Sequence, residues 1–118
     1  MEFDNTIPIY VQVIQQIKLE MIRGELPQGE KMPSARDLAL KYQINPNTAN
    51  RIYKELEAEE LVFTKRGLGT YVTEEPGVLG RIREELAEKQ LQDFITQMKA
   101  IGFSKDELLQ CVAAEYEK

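Results

Sequence analysis

The chain contains no histidine, no tryptophan and a single cysteine, Cys111, among its 118 residues. Without histidine, the commonest general base and the commonest metal ligand are missing. A Ser-His-Asp or Cys-His catalytic site is therefore excluded, and one thiol with no imidazole cannot make a zinc site. A lone cysteine forms no internal disulfide, which fits a reducing, cytoplasmic setting. Cys111 lies in LLQCVAAE and is expected to be a small buried group on a helix. No apolar run approaches the roughly 20 residues of a membrane helix, and MEFDNTIP has no apolar signal core. No phosphate-cradling loop is present either, because Lys65-Arg66-Gly-Leu-Gly is too short for one. The expectation is a non-enzymatic protein with no cofactor, no metal and no membrane partner.

What is present is mostly helical pattern. Ile9 to Arg23 carries Tyr10, Val13, Ile14, Ile17 and Met21 at helical spacing, with Pro8 in the first turn and Gly24 after the end. GELPQGEKMP reads as an extended loop. Ser34 then caps a short helix with the apolar stripe Ala35, Leu38, Ala39 and Tyr42. After the tight connection Tyr42-Gln43-Ile44, Asn45 caps a third helix that opens on Pro46 and runs to about Glu60. Its buried stripe is Ala49, Ile52, Tyr53 and Leu56. The period then changes to that of strands: LVF, the turn KRGLG, and TYV form a hairpin. Helix, short helix, helix, hairpin is the order of a winged helix.

Pro76-Gly77 marks a hinge, and the pattern beyond it is helical again. Val78 to Ala100 reads as one long helix, or two with a kink near Lys89. Gly102 ends it, and Ser104 with Glu107 makes a capping box for a last helix. The fold class is therefore mostly α with a small β-hairpin wing. A winged helix-turn-helix domain spans 1–75, and a C-terminal helical dimerisation or effector region spans 76–118. Two amphipathic helices are marginal alone. The tail is expected to bury Leu79, Ile82, Leu86, Phe94, Ile95, Met98, Leu108, Leu109 and Val112 against a second copy, giving a homodimer.

Two capped helices about three residues apart are the physical form of a helix-turn-helix, whose second helix presents its N-terminal residues to the major groove. Those residues are Asn45, Asn47, Thr48 and Asn50. Asparagine pairs with adenine edges, and threonine bonds a base or touches the thymine methyl. Three asparagines and a threonine within six residues serve no packing purpose. Arg51 and Lys54 continue the helix toward phosphates. Ser34 and Arg36 open the preceding helix, where an N-terminus plus an arginine suits a phosphate or a guanine edge. Lys65, Arg66 and Gly67 form a basic wing tip suited to the minor groove or backbone.

The net charge of −5 seems contrary, since 20 acidic residues outnumber 15 basic ones. Glu55, Glu57, Glu59 and Glu60, however, crowd the far half of the third helix. The segregation predicts weak non-specific DNA affinity with strong salt dependence. A winged helix that only docks other proteins is the competing reading; the PNTANR start and basic wing tip argue against it.

On these residues the sequence resembles the GntR family of bacterial regulators. The resemblance rests on G-x-L-x-x-G-x-x-x-P-S-x-R-x-L-A, N-x-N-T, L-E-x-E-x-L and R-G-x-G-T-Y-V, across about the first 73 residues. The short tail and NPNT are similar to the YtrA-type subfamily. This implies a homodimeric repressor on a palindromic double-stranded DNA operator, with transporter genes among those regulated and room for a small-molecule effector. It also implies DNA contacts from Arg36, from Asn45 to Thr48 with Asn50, and from Gly67. Pro46 and Asn50 stand where many members carry arginine, and Ala35 where they carry glutamate.

Overall fold

A computed structural model describes residues Met1–Lys118. Five helices and a two-stranded antiparallel hairpin follow one another in the order α1 Ile9–Ile22, α2 Ala35–Tyr42, α3 Pro46–Ala58, β1 Val62–Lys65, β2 Gly69–Val72, α4 Val78–Ala100 and α5 Lys105–Tyr116. The chain divides into two compact units, Met1–Ile82 and Arg83–Lys118.

In the first unit each helix inserts one apolar stripe into a common core. Val13, Ile17 and Met21 of α1, Leu38 of α2, and Ala49, Ile52 and Leu56 of α3 are all at most 2% exposed. Leu61, Val62 and Val72 close the core from the hairpin side. Burial of this kind stabilises by roughly 25 cal/mol per Å² of apolar surface. The hairpin register pairs Val62 with Val72, Phe63 with Tyr71, Thr64 with Thr70 and Lys65 with Gly69.

The start of α1 differs from the sequence expectation. Pro8 is the N-cap itself, one position before the first helical residue, and has no side chain to offer the free amides. Gln12 fastens the preceding turn instead. Its Nε2 donates to the carbonyls of Asp4 (2.7 Å) and Ile7 (2.9 Å), and its Oε1 accepts the Asp4 amide at 2.9 Å.

The expected loop before α2 contributes a third strand-like segment. The Met32 amide donates to the Thr70 carbonyl at 2.7 Å, Val72 to Glu30 at 2.9 Å, and Gly29 to Val72 at 3.0 Å. Lys31 thereby bridges Tyr71 in antiparallel fashion, so β2 is paired on both sides. Glycine and proline content hid this pairing, whose partners lie far apart in the chain.

Two non-glycine residues, Gln43 (φ 54°) and Glu60 (φ 64°), hold left-handed backbone just after α2 and α3. At Gln43 this lets the Ile44 amide reach back to the Ala39 carbonyl at 2.9 Å, closing α2 within the tight connection. The Cβ pays a steric penalty there that glycine avoids. Gln43→Gly is expected to raise stability by about 0.5–1 kcal/mol in urea unfolding. A loss of stability would show that the Gln43 side chain contributes more than its exposed position suggests.

In the second unit, Ser104 Oγ accepts the Glu107 amide at 3.2 Å, and Glu107 Oε1 accepts the Ser104 amide at 3.1 Å. Hydrogen bonding from the Ser104 amide first, and from its side chain second, holds the Glu107 carboxyl below its usual range. The segment after the hinge is one 23-residue helix, with no division at Lys89. No residue beyond Ile82 is buried.

Candidate nucleic-acid interface

Local capping sets up the helix-turn-helix. Ser34 Oγ accepts the Asp37 amide at 3.1 Å and starts α2. Asn45 Oδ1 accepts the Asn47 amide at 2.7 Å, with Pro46 as first residue of α3. Both side chains are thus engaged with their own helix starts. The remaining early residues of α3 stay available: Asn47 and Asn50 are exposed and Thr48 is half-buried. The opposite face carries Ala49, Ile52 and Leu56, all fully buried. One helix therefore splits into a packing face and a polar face with free amide side chains.

Tyr53 couples α3 to the start of α2, a tie that the sequence pattern did not reveal. Its hydroxyl donates to the Pro33 carbonyl, immediately before the Ser34 cap. Burial, followed by the nearby Tyr42 and Asp37, raises the Tyr53 hydroxyl well above the ordinary tyrosine range. Burial first and Glu20 second push Tyr42 up to about 12. Both phenols stay protonated wherever the protein works. For Tyr42 the linked stability is fully present below the ordinary value of 10.0 and is lost as pH rises through about 12.

The cations differ in how committed they are. The Arg51 guanidinium lies 3.7 Å from the Tyr10 ring centroid, and its Nε donates to Glu55 at 3.3 Å. It is therefore occupied within the chain, which the sequence expectation of a phosphate contact did not foresee. Arg36 and Lys54 are exposed and form no ion pair. Of the glutamates at the far end of α3 and just beyond it, Glu59 pairs with Lys18 at 3.0 Å and Glu55 with Arg51, so part of the acidic charge is neutralised internally.

The wing tip presents Lys65, Arg66 and Gly67, all exposed. Gly67 has φ +78°, and a Cβ there would meet nothing within 4 Å. Only backbone conformation demands glycine here, and the bare tip leaves room for close approach to a groove. Lys65 Nζ sits 4.7 Å from the Tyr71 ring centroid, and Tyr71 stacks on Phe63 at 5.8 Å.

The residues expected at a dimer interface separate into two groups. Ile82 is 1% exposed inside the core of the first unit, and Leu79 packs against that core. Helical periodicity reported an apolar face but not its partner, so Ile82 is corrected to a core residue of its own chain. The others belong to the second unit: Leu86, Ile95, Met98 and Leu108 are half-buried, while Phe94, Leu109 and Val112 are exposed. Phe94, Met98, Leu108 and Val112 line an open apolar groove of about 450 Å³. Cys111 is exposed on that groove, contrary to the expectation of burial.

Residues 9–72 match the model of the family described as bacterial regulatory proteins, gntR family. The HTH-type transcriptional regulator YhcF of Bacillus subtilis is 38% identical over 109 residues, covering 92% of this chain and 90% of that protein. The HTH-type transcriptional repressor YtrA of Bacillus subtilis is 41% identical over 90 residues, covering 71% of this chain and 69% of that protein. A solved structure of a GntR family transcriptional regulator from Listeria monocytogenes superposes with a TM-score of 0.88 at 35% identity. It covers 95% of this chain and 98% of that one.

Proposed function

The chain belongs to the gntR family of bacterial regulatory proteins and is a DNA-binding transcription regulator, and from that premise we propose that it is a homodimeric repressor of an operon. In this reading residues 1–75 bind one half of a palindromic operator, and residues 76–118 join two copies. The chain has no enzymatic role and acts in the cytoplasm.

The observation that carries this reading is the exposed polar face of α3. Asn47 and Asn50 project from a helix whose other face is fully buried, and neither packs a core. They read base edges in the major groove. Arg36 and Lys54, free of ion pairs, hold phosphates, and Lys65, Arg66 and Gly67 follow the adjacent groove. Ser34 and Asn45 serve chiefly as caps that set helix orientation, and Arg51 acts through its stack on Tyr10.

The test is binding to duplexes selected by the protein from a random pool, at two salt concentrations. Arg36→Ala and Asn47→Ala are each expected to weaken binding by about 1–3 kcal/mol, roughly 5- to 150-fold, with fold and dimer intact. Unchanged affinity in both variants removes the assignment of these residues to the DNA surface.

The dimer proposal rests on the second unit, where no residue is buried and Leu91, Ile101, Leu109 and Tyr116 are at least 57% exposed. Apolar helices this open are completed by a second copy in a two-fold arrangement.

A further inference from the structure

The strand-like segment at residues 29–32, which holds none of the residues assigned above, supplies a further cation to the wing. Lys31 is the residue that bridges Tyr71. Tyr71 in turn pairs with Phe63, and Gly69 with Lys65. In a pleated sheet, directly opposed residues stand on the same face, and so do residues two apart along a strand. Lys31, Phe63, Lys65 and Tyr71 therefore share the outer face, together with the bare position Gly69. Met32, Val62 and Val72 occupy the inner face and are buried at 4%, 3% and 0% exposure.

The position of the Lys31 side chain supports this geometry independently. A Cβ placed on Gly69 would come within 2.9 Å of Lys31 Cε and 3.7 Å of its Nζ. The Lys31 stem thus crosses the sheet over the empty glycine position, which carries its ammonium toward the strand end where Lys65 stands. Gly69 serves two ends, since it holds φ +119° and leaves the space that the lysine fills. Lys65 is steadied over the Tyr71 and Phe63 rings at 4.7 Å and 5.6 Å.

Two ammonium groups are thus gathered on one face, and neither has a carboxylate within ion-pair distance. Like charges brought together without a counter-ion repel. An external anion relieves that repulsion, and a regulator that lays its wing on duplex DNA meets a regular row of them. We infer that the outer face of the wing is a phosphate-binding surface for the DNA backbone and that Lys31 is one of its contact residues. The inference rests on the DNA-binding reading above. It adds a residue from a separate stretch of sequence and a defined face of the sheet, beyond the hairpin tip.

Phosphate contacts position a protein without reading sequence. Neutralising one phosphate releases counter-ions, so each such contact steepens the plot of log K against log salt by about 0.9. The experiment measures fluorescence anisotropy over a series of potassium chloride concentrations. It uses a pool-selected operator duplex and an unrelated duplex. Lys31→Gln is expected to flatten the slope by about 0.9 for each copy of the chain bound. It should weaken both duplexes by the same factor and leave the melting temperature unchanged. Lys31→Arg keeps the wild-type slope. A Lys31→Gln slope equal to wild type, or a loss confined to the operator, overturns the inference while leaving the regulator reading in place. Failure of the wild-type chain to bind any duplex overturns both.

Discussion

A Val112→Glu chain is expected to run as a monomer in light scattering at micromolar concentration and to bind operator DNA about a hundredfold or more weakly than wild type. Val112 is 41% exposed on α5 and lines the apolar groove beside Phe94 and Met98. A carboxylate placed there stays in water in the isolated chain, so the fold of one copy is not challenged. In the proposed dimer the same carboxylate is taken out of water without a partner, which costs several kcal/mol. The loss then reaches DNA through valency. Two linked half-site contacts bind more tightly than one by about 10²–10⁴, because the second is effectively intramolecular. A Val112→Glu chain that remains dimeric sinks the assignment of the second unit to self-association. One that becomes monomeric yet binds the operator as well as wild type sinks the palindromic reading alone.

Leu56→Ala acts on the other unit and through the core. Leu56 is fully buried on the inner face of α3, in the stripe with Ala49 and Ile52. Truncation removes transfer free energy and leaves a cavity, together about 3 kcal/mol. A unit of this size has only a few kcal/mol to lose. The melting temperature should fall by roughly 15 °C. DNA binding should vanish at temperatures where the wild type still binds, although every proposed contact residue is intact. Lys54→Ala, two residues away and on the exposed face, should change stability by no more than about 0.5 kcal/mol. Equal melting of Leu56→Ala and wild type would contradict the packing of α3 described above.

The features legible in the sequence were those governed by near neighbours. Ser34, Asn45 and Ser104 each bond an amide two or three residues on, so their capping roles are written in short strings. The wing turn is local in the same way. The missed contacts join distant stretches: Tyr53 to Pro33, Arg51 to Tyr10, and Lys31 to Tyr71. Periodicity placed Tyr53 on a buried stripe but said nothing of its hydroxyl. It also gave α4 an apolar face without saying that Ile82 is covered by its own chain. The polar start of α3 was legible because Asn47 and Asn50 have no packing role there; the commitment of Arg51 to an aromatic ring was not.

The double pairing of β2 has a consequence for how this protein avoids misassembly. A sheet whose central strand is satisfied on both sides offers only its two outer strands to foreign backbones. One is the segment around Lys31, flanked by Pro27 and Pro33. The other is β1, four residues long and ending in Lys65. Short length, proline and lysine are the features that discourage strand addition and fibril growth. Concentrated solutions of the chain should therefore not gel or form cross-β aggregates through the wing.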